Sequence, residues 1–391
     1  MAEFAAAGDG GPPPLAEPRR VAGHYHRSPM AGTRPRARCA YLDECQATRA
    51  WRQADREGHA VITVVPVELS DEALAADVTD GLALVEEGLR KAARAQYDLL
   101  DETSGYLIEA GGKRFRATLV LLAAQFGDPH DERVVPAAVA IELTHLATLY
   151  HDDVMDEAAV RRGSPSANAR WDNSVAILTG DFLFACASKI LADLGPEAVR
   201  IQAETFTRLV TGQIRETVGP RPDQDPLEHY MNVVTEKTAS LIATSGHFGA
   251  MFAGAPDTVT ARIAPACAAL GVAFQLSDDI LDVASETDQS GKMPGTDLRE
   301  GVKTLPVLHA LRSPRPGDAR LVELLTGSDL TDTAARSETL ELLRAHPAME
   351  MAKADLRRWA DLARHEILAL PEVPARAAFE TMCDFVVERT G

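Results

Sequence analysis

A chain of 391 residues, 46% of them hydrophobic, has ample material for a large buried core, as one helical domain or as two or three smaller ones. Its formal net charge of −18 repels nucleic acid at long range, so no nucleic-acid partner is expected, and an anionic substrate would need local cations to land. The five scattered cysteines imply no disulfide framework: Cys186 and Cys267 lie in apolar runs and read as buried thiols, while Cys39 and Cys45, near His24 and His26, match no zinc spacing well.

Residues 1–68 contain "GDGGPPPLAEP" and "AGTRPRAR" and show weak helical periodicity; they are expected to form a largely disordered N-terminal extension. The arginine-bearing, acid-poor stretch 18–42 reads as part of this tail rather than as a transit peptide, and "HAVITVVPVEL" as a short strand or an extended entry into the domain. There is no apolar signal segment and no run of about 18 apolar residues, so no membrane-spanning helix and a cytoplasmic location are expected. Residues 69–391 read as one all-helical domain. Abundant Ala and Leu with only 5% aromatics favour helix, and apolar residues recur at three- and four-residue spacing from about residue 70.

Gly111 and Gly112 break this pattern, "RFRATLVLLAAQFG" resumes it, and Gly127 is expected to cap that helix. "ERVVPAAVAIELTHLATLYHDDVMDEA" reads as a long helix. "NSVAILTGDFLFACASKILADLG" is apolar almost all round and is therefore placed centrally. Further helices are expected over 196–217, 226–253 and 257–284 and in several stretches after 303, separated by loops at 219–226, 286–301 and 312–318. No sustained strand pattern interrupts them.

Two stretches carry the chemistry. In "YHDDVMDEA", Asp152, Asp153 and Asp156 crowd onto the end of an apolar helix. Asp152 and Asp156 share a face, with Thr148, His145 and Ile141 on the stripe behind them. Like charges at this spacing cost a few tenths of a kcal/mol when exposed, roughly, and far more when buried without a cation. A solvated acidic face is the plain alternative for one such cluster. "FQLSDDILD" repeats the arrangement with Asp278, Asp279 and Asp282 at the end of a second apolar helix. Two such turns suit facing walls of one cavity, bridged by hard divalent cations, Mg2+ above all, shared with a substrate diphosphate. Lys113, Arg114 and Arg116 in "GGKRFR", and Arg161 and Arg162 after the first acidic turn, supply cations for phosphate.

With these stretches in hand, the chain is similar to the trans-isoprenyl diphosphate synthases, or polyprenyl synthetases. "GGKRFR", "ELTHLATLYHDDVMDEAAVRRG", "GDFLFA", "EKTASL" and "FQLSDDILD…GKMPGTDLREGVKTLP" follow the family's order from about residue 105 to 310. The resemblance implies an all-α fold, a single large helical bundle of the isoprenoid synthase type around a central apolar cavity, assembled as a homodimer. It implies a transferase that condenses isopentenyl diphosphate with an allylic diphosphate, head to tail and trans, with Mg2+ as cofactor, three ions per site, and Mn2+ as a substitute. By the same resemblance Asp152, Asp153 and Asp156 hold the metal on the allylic diphosphate, and Asp278, supported by Asp279 and Asp282, holds another. Arg161 contacts the allylic diphosphate. Lys113, Arg114, Arg116, His145 and Arg162 clamp the diphosphate of isopentenyl diphosphate. Lys237, Thr238 and Gln275 sit near the allylic diphosphate and the forming cation, and Lys292 is a further phosphate contact. One departure is Ala117, where the family usually has proline.

Ala147 and Thr148, just before Asp152, form the family's chain-length gate. Neither is aromatic, which by resemblance favours a geranylgeranyl or longer product, with Phe182 or Phe184 as deeper floor residues. Such a product would leave slowly and partition to membranes. Three rival readings fit the sequence less well. A class I terpene cyclase shares the first motif, but Asp282 replaces the hydroxyl residue of its second motif and it has no use for "GGKRFR". A non-catalytic subunit of a heteromeric synthase usually loses one acidic motif, and this chain has both. An HD-type phosphohydrolase, from His151-Asp152, lacks its further partners.

Overall fold

Helix starts and stops are written locally. Asp71 accepts from the Leu74 N–H at 2.8 Å to open α1 (Glu72–Ala92), whose last turn carries Arg90 and Lys91 against the helix dipole. Asp172 caps α6 (Asn173–Leu194) in the same way through Val175 N at 2.8 Å. Pro196 follows Gly195 at the start of α7 (Pro196–Val218), and Pro226 follows the Asp225 cap of α8 (Pro226–Val233). The computed structural model describes residues 69–285 and 294–390, so the expected N-terminal extension 1–68 and Lys292 lie outside the described residues.

The remaining elements are α2 (Asp98–Glu109), α3 (Phe115–Ala124), α4 (Val134–Met155), the short α5 (Ala167–Arg170), α9 (Ser240–Phe252), α10 (Asp257–Ala284), the one-turn α11 (Thr296–Arg299), α12 (Leu305–Arg312), α13 (Ala319–Gly327), α14 (Thr333–Arg344), α15 (Ala348–Leu368) and α16 (Pro374–Glu388). Among the described residues the only strands are the two-residue pair β1 (Val160–Arg161) and β2 (Ser164–Pro165), an antiparallel hairpin just after the first acidic turn. The all-α reading therefore holds. The expected 226–253 helix is divided: α8 and α9 are joined by a π-helical turn, Val234–Ala239.

The core is built from α3, α4, α9, α10 and α15. All of α3 after its first two residues is buried, and Leu119, Leu122, Ile141, Leu143, Leu146, Tyr150, Phe248 and Phe379 are fully enclosed. Two expectations are corrected. Gly127 does not cap α3, which ends at Ala124; a Cβ there would collide with the Ala253 carbonyl, so this glycine lets two backbones touch. α6 is not wrapped by protein on all sides, since Ile177 and Leu178 are exposed. Both α6 and α10 are also long and apolar enough to cross a membrane, against the expectation of none. Length and composition alone cannot separate a spanning helix from a core helix, and α10 is sunk among α9, α15 and the π turn.

Candidate active site

The 111–114 loop is held in an unusual backbone shape. Gly111 has φ +79°, and Arg114, the residue before α3, and Arg162, in the β1–β2 turn, have φ 47° and 54°. Side chains rarely adopt this left-handed region, and such residues persist where their surroundings over-determine them. Arg114 supplies part of that determination. Its buried guanidinium is clamped by both carboxylate oxygens of Glu86 and donates to Ile108 O at 3.1 Å. Arg114 is thus tied into the fold of the loop, while its Nη1 is buried with no partner among the described residues.

Its neighbours are disposed differently. Lys113 is exposed. Arg116 has a buried Nε with no partner, and burial lowers its pKa against the opposing pull of Glu142 and Asp152. Arg162 donates through Nη1 to Leu107 O at 2.7 Å and to Gly111 O, and burial, with Arg114 and Arg161 nearby, brings it down to about 10. His145 is held well below its ordinary value by burial and then by Arg116, Arg162, Arg114 and Arg161, so its ring is neutral. Arg116, His145 and Arg162 thus share one desolvated, cationic spot beside the loop that presents Lys113. Glu142, buried beneath it, accepts the Ala117 N–H at 3.0 Å. The N–H that a proline would lack is satisfied there.

The first acidic turn ends α4. Asp156 closes the helix, its N–H donating to Asp152 O at 2.8 Å, and its side chain is exposed. Asp152 is half-buried. Desolvation pushes its carboxyl up to about 6, Lys237 opposes this, and Asp156 adds to it. Asp153 points the other way. It is fully buried, and its Oδ1 accepts from Arg161 Nε at 2.6 Å. Asp153 thereby anchors Arg161, and its Oδ2 is buried with no partner among the described residues. His151 also turns away, lying 3.2 Å from Ile177 O and 3.4 Å from Asp181 on α6, so it forms no His-Asp pair with Asp152. One turn back, Thr148 donates to His145 O at 2.8 Å and stays partly accessible, whereas Ala147 is buried. Phe184 packs on Phe206 of α7 with ring centroids 4.1 Å apart.

The π turn joins the two acidic regions. Lys237 is the main cationic influence on Asp152 and also pairs with Glu216. The next residue, Thr238, donates to Gln275 Oε1 at 3.2 Å, and Gln275 Nε2 donates to Asp279 Oδ1 at 2.9 Å. Tyr230 OH donates to the other oxygen of Asp279. Asp279 is buried, and that burial pushes it to about 7 despite these hydrogen bonds. Asp282 accepts the backbone N–H groups of Thr296 and Asp297, each at 3.1 Å, and so ties α10 to α11. Asp279 and Asp282 are thus both hydrogen-bonded within the fold of the turn. Asp278 is the member that opens outward, 43% exposed, with Arg389 Nη2 2.8 Å from its Oδ1.

Among the described residues no three acidic, His or Cys side chains converge tightly enough to hold a metal ion by themselves. That suits Mg2+, which keeps its waters and shares phosphate oxygens with one or two carboxylates. Asp152, Asp156 and Asp278 are the carboxylates disposed for this, and the unpartnered Arg116 Nε, with Lys237 nearby, answers the anion such a cation would bring. Three contributors were missed from the sequence: Glu86, Tyr230 and Arg389. No local pattern marks them, since each acts across a long stretch of chain.

The polyprenyl synthetase family matches residues 97–343. The chain is 51% identical over 329 residues to nonaprenyl diphosphate synthase of Mycobacterium tuberculosis, covering 84% of this chain and 98% of that protein. It is 38% identical over 313 residues to heptaprenyl diphosphate synthase component 2 of Geobacillus stearothermophilus, covering 80% and 97%. Geranylgeranyl pyrophosphate synthase from Corynebacterium glutamicum, solved with calcium and isoprenyl diphosphate, matches with a TM-score of 0.76 at 49% identity, covering 83% of this chain and 100% of that one. With a family match over most of the chain and relatives at this identity and coverage, the chain belongs to the polyprenyl synthetase family.

Proposed function

We infer that the protein is a trans-prenyltransferase that condenses isopentenyl diphosphate with an allylic diphosphate, head to tail, to make a long-chain polyprenyl diphosphate. The observation that carries this reading is the π turn, where adjacent residues act on the two acidic turns: Lys237 on Asp152, and Thr238 through Gln275 on Asp279. A leaving diphosphate between the turns would meet Lys237 and Arg161. Lys113, Arg116, neutral His145 and Arg162 would hold the second diphosphate as hydrogen-bond donors. Bound Mg2+, three ions in this reading, supplies Lewis-acid stabilisation of the departing diphosphate.

The remaining work falls to the chain's own side chains. Arg116 and Arg162 are desolvated and pre-oriented, so they lose little on gripping phosphate. Thr238 and Gln275 present neutral dipoles where an allylic cation would develop. They are poor nucleophiles and leave the carbon–carbon bond to the double bond of isopentenyl diphosphate. Neither Thr238 nor Gln275 is a base, and the proton lost afterwards goes, as the family resemblance implies, to the departing diphosphate. The apolar packing of α4, α9 and α10 keeps water from the cation.

Incubation of the purified chain alone with Mg2+, isopentenyl diphosphate and each allylic diphosphate, followed by chromatographic sizing of the product, tests this. A polyprenyl diphosphate is expected; a hydrocarbon or alcohol from the allylic substrate alone would indicate a cyclase, and no turnover without a second protein a subunit. Small residues at Ala147 and Thr148 support a long product, and Thr148→Phe is expected to shorten it. The exposed apolar residues Ile177 and Leu178 on α6 and Val199, Val210 and Ile214 on α7 support a homodimer, readable by light scattering. The three free cysteines among the described residues, all buried, suit the reducing cytoplasm.

A further inference from the structure

Beyond the two acidic motifs and the phosphate clamp, one guanidinium from the far end of the chain enters the site. Arg389 directly follows α16. Its Nε donates to Ser277 Oγ at 2.6 Å, its Nη2 donates to Phe274 O at 2.9 Å, and the same Nη2 lies 2.8 Å from Asp278 Oδ1. Its plane sits over the rings of Phe274 and Phe385, 4.5 and 5.5 Å from their centroids. Phe274 in turn stacks on Phe115 of the "GGKRFR" loop at 5.0 Å and 19°. The arginine is mostly buried, whereas Asp278 is 43% exposed, and no partner is found among the described residues for the other oxygen of that carboxylate.

We propose that Arg389 is a positioning residue for the second acidic turn, occupying Asp278 Oδ1 so that the remaining oxygen is presented to a divalent cation on diphosphate. The inference rests on the functional reading above. A carboxylate at a helix end rotates freely about its last bond; a fixed neighbour on one oxygen removes that freedom and selects the other. The geometry needs a fork. One planar group reaches a hydroxyl, a carbonyl and a carboxylate while lying on two rings, which a lysine ammonium cannot do. Through Phe274 and Phe115 the same residue also braces the loop that presents Lys113 and Arg116. A bystander that merely balanced the charge of Asp278 would have the opposite effect on cation binding, because its removal would leave the site more negative.

The test is the affinity of the full-length protein for Mn2+ in the presence of inorganic diphosphate, followed by the electron paramagnetic resonance signal of free Mn2+. Arg389→Gln is expected to weaken binding by about 10-fold or more, the usual scale for loss of a partner that orients a metal-binding carboxylate. Arg389→Lys, which keeps charge and burial, is expected to weaken it by a smaller factor. In an Asp278→Asn background, Arg389→Gln is expected to cause no further loss. Unchanged or tighter binding by Arg389→Gln, or by Arg389→Lys should the first variant not fold, would overturn the proposal, as would a full additional loss in the Asp278→Asn background. Absence of Mn2+–diphosphate binding by the unmodified protein would instead remove the functional reading and this inference together.

Discussion

The two acidic turns share one sequence pattern and live in different surroundings. The first closes α4, with Asp156 exposed, Asp152 half-buried under the influence of Lys237, and, among the described residues, only the Asp153 side chain bound to a protein partner. The second is engaged at every aspartate: Asp278 by Arg389, Asp279 by Gln275 and Tyr230, Asp282 by the N–H groups at the start of α11. A DDxxD pattern therefore marks where carboxylates gather but does not apportion them between ligand and fold. That division is set by what packs behind each turn.

The sharpest way to break this contrast is a pair of alanine substitutions. Asp152→Ala is expected to lower kcat by about 10³-fold, equivalent to about 4 kcal/mol of transition-state stabilisation, without lowering Tm. Asp279→Ala should also impair activity, but it leaves Tyr230 and Gln275 with buried, unpaired polar groups, so about 1–3 kcal/mol of stability should go with it in a denaturant titration. Equal stability losses in the two variants would end the distinction. Asp282→Ala is expected to cost about 1–2 kcal/mol by releasing two backbone donors, and to raise amide exchange at Thr296 and Asp297 above the rate elsewhere in the domain.

A subtler contrast appears in the pH dependence of the metal-free protein. Burial raises both Asp152, to about 6, and Asp279, to about 7, above the ordinary value of about 3.9 for an unfolded aspartate. For a carboxyl raised on folding, the stabilisation is complete below the unfolded pKa and is lost as pH rises through the folded one. Tm measured by calorimetry in a chelator should therefore fall from about pH 4 to about pH 7. Asp279→Asn should remove the upper part of that fall, and a slope unchanged in this variant would contradict the assignment. The smallest effect is expected at Ala117→Pro, which deletes the N–H donated to Glu142: a change in Tm equivalent to about 1 kcal/mol, with kcat retained.

Much of this was legible in the amino-acid sequence, because periodicity and caps are local. The 257–284 helix was read with the bounds it has, and the acidic turns stand at the helix ends where the pattern put them. What escaped was long-range or sterically unusual. Arg114 reads like its neighbours Lys113 and Arg116, yet a left-handed φ swings it onto Glu86, 28 residues earlier. Arg389 meets Ser277 across 112 residues, from a C-terminal helix with no motif of its own. Tyr230 is one tyrosine on a short helix until Asp279 is folded against it.

The π turn has a consequence for how this part of the chain tolerates change. Each residue added to or removed from an α-helix rotates everything beyond it by about 100°. Val234–Ala239 holds the equivalent of one surplus residue between α8 and α9, and the azimuths of Lys237 and Thr238 depend on it. A single-codon deletion within this hexapeptide would let the segment relax into regular helix with the two flanking helices still in phase, but Lys237 and Thr238 would lose the azimuths that the surplus residue gives them. Substitutions here can be absorbed side chain by side chain, whereas a length change re-aims two functional groups at once.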